Sequence, residues 1–231
     1  MEKEILMKEY FQVFEQPASI KEIAYENMKK QIIQGNLKPG TWLREQELSD
    51  AMEISRAPIR EAFNQLEREG FIEILPRKGA KVTSLSEKEV ENIFEIRENL
   101  ELLAVKKSLK MIPIGHLNKI AKKFEQFQCQ TTEKANRLQY LALDKEFHDL
   151  LIYRCDNRML IQLLTSIQEK IHWLRSFSLD RDSFVQSIKE HLAIINAIQN
   201  NNKKSVENNL LSYLERAKDS IIKEIRSGHI Q

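Results

Sequence analysis

The chain has 231 residues, and its 36 Lys and Arg against 34 Asp and Glu give a formal net charge of +2. Its 42% hydrophobic and 30% charged residues are typical of a globular protein and exclude a disordered polyampholyte. No apolar run approaches the roughly 18 residues of a membrane span, and the first ten residues lack the apolar middle of a signal peptide. We therefore expect a cytoplasmic protein of one or two domains that does not bind nucleic acid through bulk positive charge alone.

Glycine and proline are distributed unevenly along the chain. Most of them lie between Gly35 and Gly79, and the rest of the chain is nearly free of both. Because both residue types interrupt regular structure, the pattern predicts a turn-rich domain followed by a helical one. The boundary is predicted near 83–85, just before Ser86 and Glu89, which have the spacing of a capping box. The predicted divisions are an N-terminal extension (1–16), a mixed domain (17–84) and an all-helical domain (85–231).

The extension carries apolar residues that are compatible with a short amphipathic helix, among them Ile5, Leu6, Tyr10 and Phe11. Such a helix would pack on a neighbouring element or on a second subunit. A disordered tail is the alternative.

The mixed domain has the element order of a winged helix-turn-helix. A helix, a short helix, a tight turn and a longer helix are followed by a β-hairpin with a basic tip. In such a domain the second helix of the pair lies in the major groove of DNA, where its first residues meet base edges. The predicted elements are helices over 19–34, 45–52 and 56–69 and strands over 71–75 and 80–83.

Basic residues stand where this arrangement would contact DNA. Arg56 and Arg60 are four residues apart and project from one face of the longer helix. Arginine pairs bidentately with guanine or with a phosphate, so these positions favour DNA binding. In the hairpin turn, Arg77 and Lys78 could follow the DNA backbone, and Gly79 would permit a close approach. Taken alone, the two helix arginines are also compatible with a solvated surface.

Three segments in this order resemble the GntR-type winged helix: IIQGNLKPG (32–40), LREQELS (43–49) and SRAPIREA (55–62). The resemblance covers roughly 19–83 and implies a dimeric bacterial transcription regulator whose operator is a short inverted repeat. Members of this family often have arginine after the position of Glu45, where this chain has Gln46 with Arg44 beside it. The DNA-binding residues that we predict are Arg44, Gln46, Ser55, Arg56, Arg60, Arg77, Lys78 and Gly79.

The C-terminal part reads as successive amphipathic helices without strand-like alternation. About six helices over roughly 140 residues predict an antiparallel helical bundle, so the fold class is mainly α. The predicted helices lie around 90–104, 116–128, 138–153, 159–177, 184–199 and 206–225.

Three polar residues lie in the apolar seams of these helices. Asp144 and His148 are four residues apart and share one face, and His191 interrupts the apolar seam of a later helix. A carboxylate and two imidazoles are suitable ligands for a divalent metal such as Zn, Ni or Mn. Ordinary buried histidines are the alternative. We interpret the remaining histidines as surface or capping residues (His116, His172 and His229) and the cysteines as buried thiols (Cys129 and Cys155).

The helical region resembles the FCD ligand-binding domain over roughly 88–226, on the segments IRENLE (96–101) and DKEFH (144–148) and on the pair at 190–191. The resemblance implies a divalent metal held by an aspartate and two or three histidines, beside a small carboxylate effector. Asp144, His148 and His191 match three ligand positions, whereas the fourth, usually histidine, is Tyr213. A neutral tyrosine is a poor ligand, so the ion could have three protein ligands, bind weakly or be absent.

Arg97 lies on the apolar seam of its helix and either pairs with Glu101 on the surface or anchors an anionic effector. With Tyr213 it completes the predicted effector site. The sequence therefore predicts a non-enzymatic DNA-binding regulator, a repressor by resemblance, that responds to a small organic acid. Two alternatives are a metal-free regulator that binds acyl or fatty-acid ligands and, with less support, a metal-dependent hydrolase.

Overall fold

The computed structural model describes residues 19–127, 134–178 and 181–228. Within these ranges the chain is mainly helical, as predicted, and one small sheet accompanies nine helices. The predicted N-terminal extension, Cys129 and His229 lie outside the described residues. None of the described helices is long and apolar enough to cross a membrane. The elements are α1 (Ile20–Ile33), β1 (Trp42–Leu43), α2 (Glu45–Met52), α3 (Arg56–Arg68), β2 (Ile72–Leu75), β3 (Gly79–Val82), α4 (Glu87–Ser108), α5 (Ile114–Phe127), α6 (Lys134–Ile152), α7 (Arg158–Ser178), α8 (Arg181–Gln199) and α9 (Lys203–Arg226).

The first three helices form the predicted helix-turn-helix. Helix α1 begins at a capping box in which the Ser19 hydroxyl and the Glu22 carboxylate each accept a backbone N–H of the other residue. Glu53 ends α2 in the left-handed conformation (φ 55°), which turns the chain sharply into α3. Helix α3 buries Ile59, Phe63 and other apolar residues of one face in the core that it shares with α1. Its opposite face, with the two arginines, is therefore left on the surface.

The sheet contains the predicted hairpin and one strand that we did not predict. The strand order is β1-β3-β2, and both pairs are antiparallel, with Ile74 opposite Ala80 in the hairpin. Strand β1 has only two residues, too short for a recognisable alternation. Gly79 faces it: φ is +101°, and a Cβ atom there would lie 2.8 Å from the Leu43 carbonyl oxygen. Packing between strands therefore requires glycine at this position, and its close approach to DNA stays a prediction.

Helices α4 to α9 pack together as a bundle. Helix α4 begins at the predicted capping box of Ser86 and Glu89. Helix α9 packs against α4, α7 and α8, and α5 packs against α6 and α8. Between these helices, rings of Phe124, Phe147 and Tyr213 surround His191, with centroids 4.6–5.1 Å from its imidazole. The bundle thus encloses polar groups inside a dense aromatic core.

Helix α7 contacts both halves of the chain. Its Trp173 packs edge-on against Phe71 of the winged helix, with ring centroids 6.0 Å apart. Its Glu169 accepts from Lys29 of α1 at 2.8 Å, and the same ammonium group also donates to Glu69 after α3 at 2.8 Å. On its other side α7 packs on α4, α6 and α9. The same helix therefore lines the bundle interior and supports the winged helix.

Candidate nucleic-acid interface and buried polar site

The recognition helix α3 presents its two arginines to solvent. Arg56 is the first residue of the helix, Arg60 follows one turn later, and both are exposed. Ser55 occupies the predicted N-cap position and is exposed, but its side chain makes no capping hydrogen bond in the described structure. Both arginine side chains therefore lie on the face that a helix of this type inserts into the major groove.

Residues at the start of α2 hold these arginines. Glu45 accepts from Arg60 Nε at 3.0 Å and from Arg60 Nη2 at 2.8 Å. This hydrogen bonding with Arg60 lowers the pKa of the Glu45 carboxyl. Gln46 contacts Arg56 through its amide oxygen and donates to Asp50 at 2.6 Å through its amide nitrogen. The two arginines are thus oriented by neighbouring side chains of the preceding helix.

An open groove of about 460 Å³ lies between α3 and the wing, which is the β2–β3 hairpin. Its lining brings together basic side chains from three elements: Arg44, Arg60, Arg77 and Lys78. Such convergence of basic groups next to a recognition helix is suited to phosphate and base contacts. Gly79 also lines this groove, whereas Gln46 and Arg56 contact each other at the first turns of α2 and α3.

A second cluster of polar residues lies inside the helical bundle. Asp144 and His148 on α6 and His191 on α8 are each at most 2% exposed. His191 Nε2 lies 3.1 Å from Asp144 Oδ1 and 3.4 Å from His148 Nε2. One candidate ligand atom from each of the three residues lies within 4.8 Å of those of the other two. The structure therefore brings together the three metal ligands that the sequence predicts.

Arg175 of α7, which sequence reasoning missed, reaches the same carboxylate. Its Nη1 lies 2.6 Å from Asp144 Oδ2 and donates to the Tyr213 hydroxyl at 2.8 Å. Its Nη2 donates to Ser187 at 3.1 Å, and Tyr213 in turn donates to Asp144 Oδ1 at 3.3 Å. Tyr213 is thus part of a closed hydrogen-bond network around Asp144.

Arg97 and Glu101 of α4 form a second ion pair beside this network. Arg97 Nε donates to Glu101 at 2.6 Å, and both side chains are at most 2% exposed. The other oxygen of Glu101 lies 3.3 Å from His148 Nδ1. The expected pairing of the two α4 residues is present, but it is buried and not on the surface, because this face of α4 packs against α6 and α7.

A small cavity of about 10 Å³, roughly the room of one water molecule, separates the two networks. Its lining includes Arg97, Asp144, His148, Gln168 and His172. Among the described residues, the buried atoms without a hydrogen-bond partner include Arg97 Nη1, Gln168 Nε2 and His172 Nε2. A buried polar group without a partner is costly, so these nitrogens at one cavity indicate a place for an acceptor of about the size of a water molecule.

The ionisation of these groups follows from burial and from the charges around them. Burial alone would raise the pKa of Asp144, but Arg175 and His191 outweigh it and hold the pKa well below its usual range. Burial likewise opposes ionisation of Glu101, whose pKa falls to about 2 because Arg97 and His148 stabilise the carboxylate. Burial lowers the pKa of His191 and of His172 to about 4. Both imidazoles are therefore neutral near pH 7.

The donor set suits a divalent ion in part. One carboxylate and two imidazoles, with His191 held neutral, are ordinary ligands of zinc and related metals. Tyr213 adds no ligand, because burial raises its pKa and keeps the phenol neutral. Arg175 already neutralises the Asp144 carboxylate. Asp144, His148 and His191 could thus hold an ion that has positions left for other ligands.

The structure corrects our interpretation of one histidine and adds residues that we missed. His172 is not a surface or capping residue: its side chain is 14% exposed and its Nε2 lies 3.7 Å from Asp144 Oδ2. His116 is partly exposed and lies 3.2 Å from Glu146. Gln168 and Arg175 were missed although they follow Leu164 and Ile171 on the buried seam of α7. Polar residues at core spacing were the signal that could have identified them.

Comparison with known proteins agrees with this architecture. Residues 20–82 match the family described as bacterial regulatory proteins, gntR family, and residues 92–216 match the FCD domain. The chain is 31% identical over 190 residues to the HTH-type transcriptional regulator YdhC of Bacillus subtilis, covering 82% of this chain and 85% of that protein. It is 27% identical to the HTH-type transcriptional repressor RspR of Escherichia coli, covering 85% and 86% of the two chains.

Solved structures share the fold. The E. coli McbR/YncC structure superposes with a TM-score of 0.75 at 18% identity, over 90% of this chain and all of that one. The Zn²⁺-bound FCD domain of TM0439 superposes with a TM-score of 0.53 at 22% identity, over 62% of this chain and 99% of that one. The matched relatives are transcription regulators and not enzymes, which argues against the hydrolase alternative. The chain belongs to the GntR family of bacterial transcription regulators and carries an FCD domain after its winged helix.

Proposed function

We propose that this regulator is a cytoplasmic repressor whose operator binding is controlled by a small anionic effector in the helical bundle. The observation that carries the proposal is the set of unpartnered buried nitrogens, Arg97 Nη1, Gln168 Nε2 and His172 Nε2, at a cavity that has room for one water molecule and must open to admit an effector. A carboxylate group offers oxygen acceptors for such donors, and the arginine adds an opposite charge. The repressor assignment is supported by the name of the E. coli relative RspR.

The charges around the cavity make anion binding and metal binding dependent on each other. Asp144 and Glu101 carry two negative charges, and Arg97 and Arg175 carry two positive ones, so the four groups cancel. A divalent ion on Asp144, His148 and His191 would leave a buried excess of two positive charges. A bound ion would supply an electrophilic contact for an effector carboxylate, and the carboxylate would neutralise that excess. We therefore propose a metal-assisted site for Zn, Ni or Mn, supported by the zinc-bound FCD domain of TM0439.

The metal-free alternative also has a specific observation in its favour. Arg175 and Tyr213 already satisfy Asp144 without an ion. In that case an anionic or acyl ligand would bind through Arg97 and Gln168 alone. Metal dependence of ligand binding separates the two cases.

Helix α7 offers a physical route from this site to the DNA. Gln168, His172 and Arg175 face the polar site, whereas Glu169 and Trp173 on the same helix contact the winged helix. A ligand that draws Gln168 and His172 towards itself would shift α7 against α1 and so change the placement of the recognition helix. This arrangement supports control of DNA binding by the effector.

We further propose that the protein acts as a homodimer on an inverted repeat. Exposed apolar side chains lie on neighbouring parts of α4 and α7, namely Ile96, Leu103, Met159 and Leu163. The same two helices contribute Ala104, Leu160 and Leu164 to one small core cluster. An exposed apolar face of this kind fits a second copy of the chain, and a two-fold dimer matches two half-sites.

The test is a thermal-shift screen of small mono- and dicarboxylates, with EDTA or with Zn²⁺, Ni²⁺ or Mn²⁺, followed by binding of a fluorescent DNA duplex selected by the wild-type protein. We expect a carboxylate to raise the melting temperature more with metal than without it and to release the duplex. Gln168→Leu removes an unpartnered donor and should weaken this response without destabilising the free protein. Gln162→Leu, an exposed position on the same helix, is the control. If Gln168→Leu and Gln162→Leu respond equally to the carboxylate, the cavity is not the effector site.

A further inference from the structure

The DNA-facing groove contains an acidic side chain in an unexpected place. Glu45 lies among the residues that line the basic groove between α3 and the wing, together with Arg44, Arg60, Arg77 and Lys78. A carboxylate on a surface that meets phosphates weakens binding through electrostatic repulsion. Its contacts must therefore be considered before it is treated as a surface charge.

Glu45 forms hydrogen bonds with Arg60 along one edge of the guanidinium group. Its two oxygens accept separately from Nε at 3.0 Å and Nη2 at 2.8 Å, which is a two-point, side-on pairing across the turn between α2 and α3. This pairing leaves Nη1 and the second hydrogen of Nη2 outside the contact. Those N–H groups form the edge that fits guanine O6 and N7 or two phosphate oxygens.

The side chains of Arg60 and Glu45 differ in solvent exposure. Arg60 is 65% exposed, whereas Glu45 is 27% exposed and lies behind it. The carboxylate is thus positioned to hold the arginine without meeting the DNA first. Gln46, the next residue of α2, contacts Arg56 in a similar way and is itself oriented by Asp50. The first turn of α2 therefore holds both arginines of the recognition helix.

We propose that Glu45 is a positioning residue for sequence readout. It fixes the guanidinium of Arg60 before DNA is bound, so that one edge faces the base pairs and less side-chain freedom is lost on binding. Two opposite effects of its carboxylate follow. Through Arg60 it raises the affinity for the correct base sequence. Through repulsion of phosphates it lowers the affinity for every sequence equally.

The experiment compares full-length wild type with Glu45→Gln and with Glu26→Gln as the control. Glu26 is an exposed residue of α1 in the same domain and does not line the groove, so the control removes the same charge without affecting a predicted DNA-binding residue. The probes are a duplex enriched by repeated selection with the wild-type protein and a random-sequence duplex of equal length. We expect Glu45→Gln to lose about tenfold in affinity for the selected duplex. Its affinity for the random duplex should stay equal or rise, and Glu26→Gln should keep the wild-type ratio of the two affinities.

A second background shows whether Glu45 acts through Arg60. Arg60→Lys retains the charge but lacks the planar guanidinium group that can pair along two edges. In that background Glu45→Gln should therefore not change the ratio of the affinities for the selected and random duplexes any further. The proposal is overturned if Glu45→Gln leaves the ratio of the affinities for the selected and random duplexes as it is in wild type, whether or not both affinities fall. It is also overturned if the loss of selectivity persists in the Arg60→Lys background. Unchanged melting temperatures of the variants confirm that folding is not the cause.

Discussion

Arg175 Nη1 lies 2.6 Å from Asp144 Oδ2, and both side chains are buried between α6 and α7. The same guanidinium donates to Tyr213 and Ser187, so Arg175 connects its own helix to three others around one carboxylate. Removing one member of such a pair leaves a buried charge without compensation, whereas removing both does not. The pair is therefore a suitable place to measure how charge is balanced inside this domain.

We expect Asp144→Asn to lower the free energy of unfolding by about 3–5 kcal/mol, because Arg175 then remains buried without a counter-charge. Arg175→Met should have a similar effect through Asp144. The double variant should be markedly less destabilised than the sum of the two single variants. Urea unfolding of the four proteins in EDTA measures the coupling, and additive losses would contradict the pairing.

A matched pair of glycines tests the packing of the wing. Gly79→Ala should destabilise the protein by about 1–3 kcal/mol, because φ is +101° and the new Cβ atom would lie 2.8 Å from the Leu43 carbonyl oxygen. Gly115→Ala in helix α5 meets no described atom within 4 Å and should stabilise by about 0.5–1 kcal/mol. Thermal unfolding distinguishes the two. A neutral Gly79→Ala would show that β1 is not held against β3.

The buried imidazoles predict how stability depends on pH in metal-free protein. The pKa values of His191 and His172 are about 4 in the folded protein, against about 6.5 in an unfolded chain. Between these pH values the unfolded state binds more protons than the folded state, so the free energy of unfolding increases with pH. Acidification from pH 6.5 towards pH 4 should therefore destabilise the protein. Each group accounts for at most about 3 kcal/mol.

Urea unfolding at pH 5 and pH 7 in EDTA measures this loss. His172→Gln should reduce the difference between the two pH values, because one of the two imidazoles no longer titrates. Equal pH dependence of wild type and His172→Gln would contradict a buried neutral imidazole at this position.

The link between the bundle and the winged helix is testable at Lys29. This side chain is 8% exposed and donates to both Glu69 and Glu169 at 2.8 Å. We expect Lys29→Met to reduce the factor by which the best carboxylate of the thermal-shift screen lowers DNA affinity, by about fivefold or more. The control is Lys30→Met, which makes the same change at the exposed next position. Identical factors for the two variants would place the coupling elsewhere.

Much of this architecture is predictable from local sequence patterns. The capping box of Ser86 and Glu89 and the bounds of α2 and α3 follow from short-range rules that tertiary contacts do not override here. The buried positions of Asp144, His148 and His191 follow from polar residues at core spacing, and their grouping in one site follows from the resemblance to the FCD domain. Periodicity shows which face of a helix is buried but not which residue of another helix it meets. For this reason the contact of Arg175 with Asp144 and the burial of Arg97 with Glu101 required the structure.

The two-sided use of α7 has a practical consequence for building sensors on this scaffold. Residues that contact the polar site alternate along the helix with residues that support the winged helix, as Gln168 does with Glu169 and His172 with Trp173. Libraries that diversify α7 to change ligand preference will therefore also disturb the control of DNA binding. Randomising ligand-facing positions on α4 and α8 instead should yield altered specificity with the switching behaviour retained.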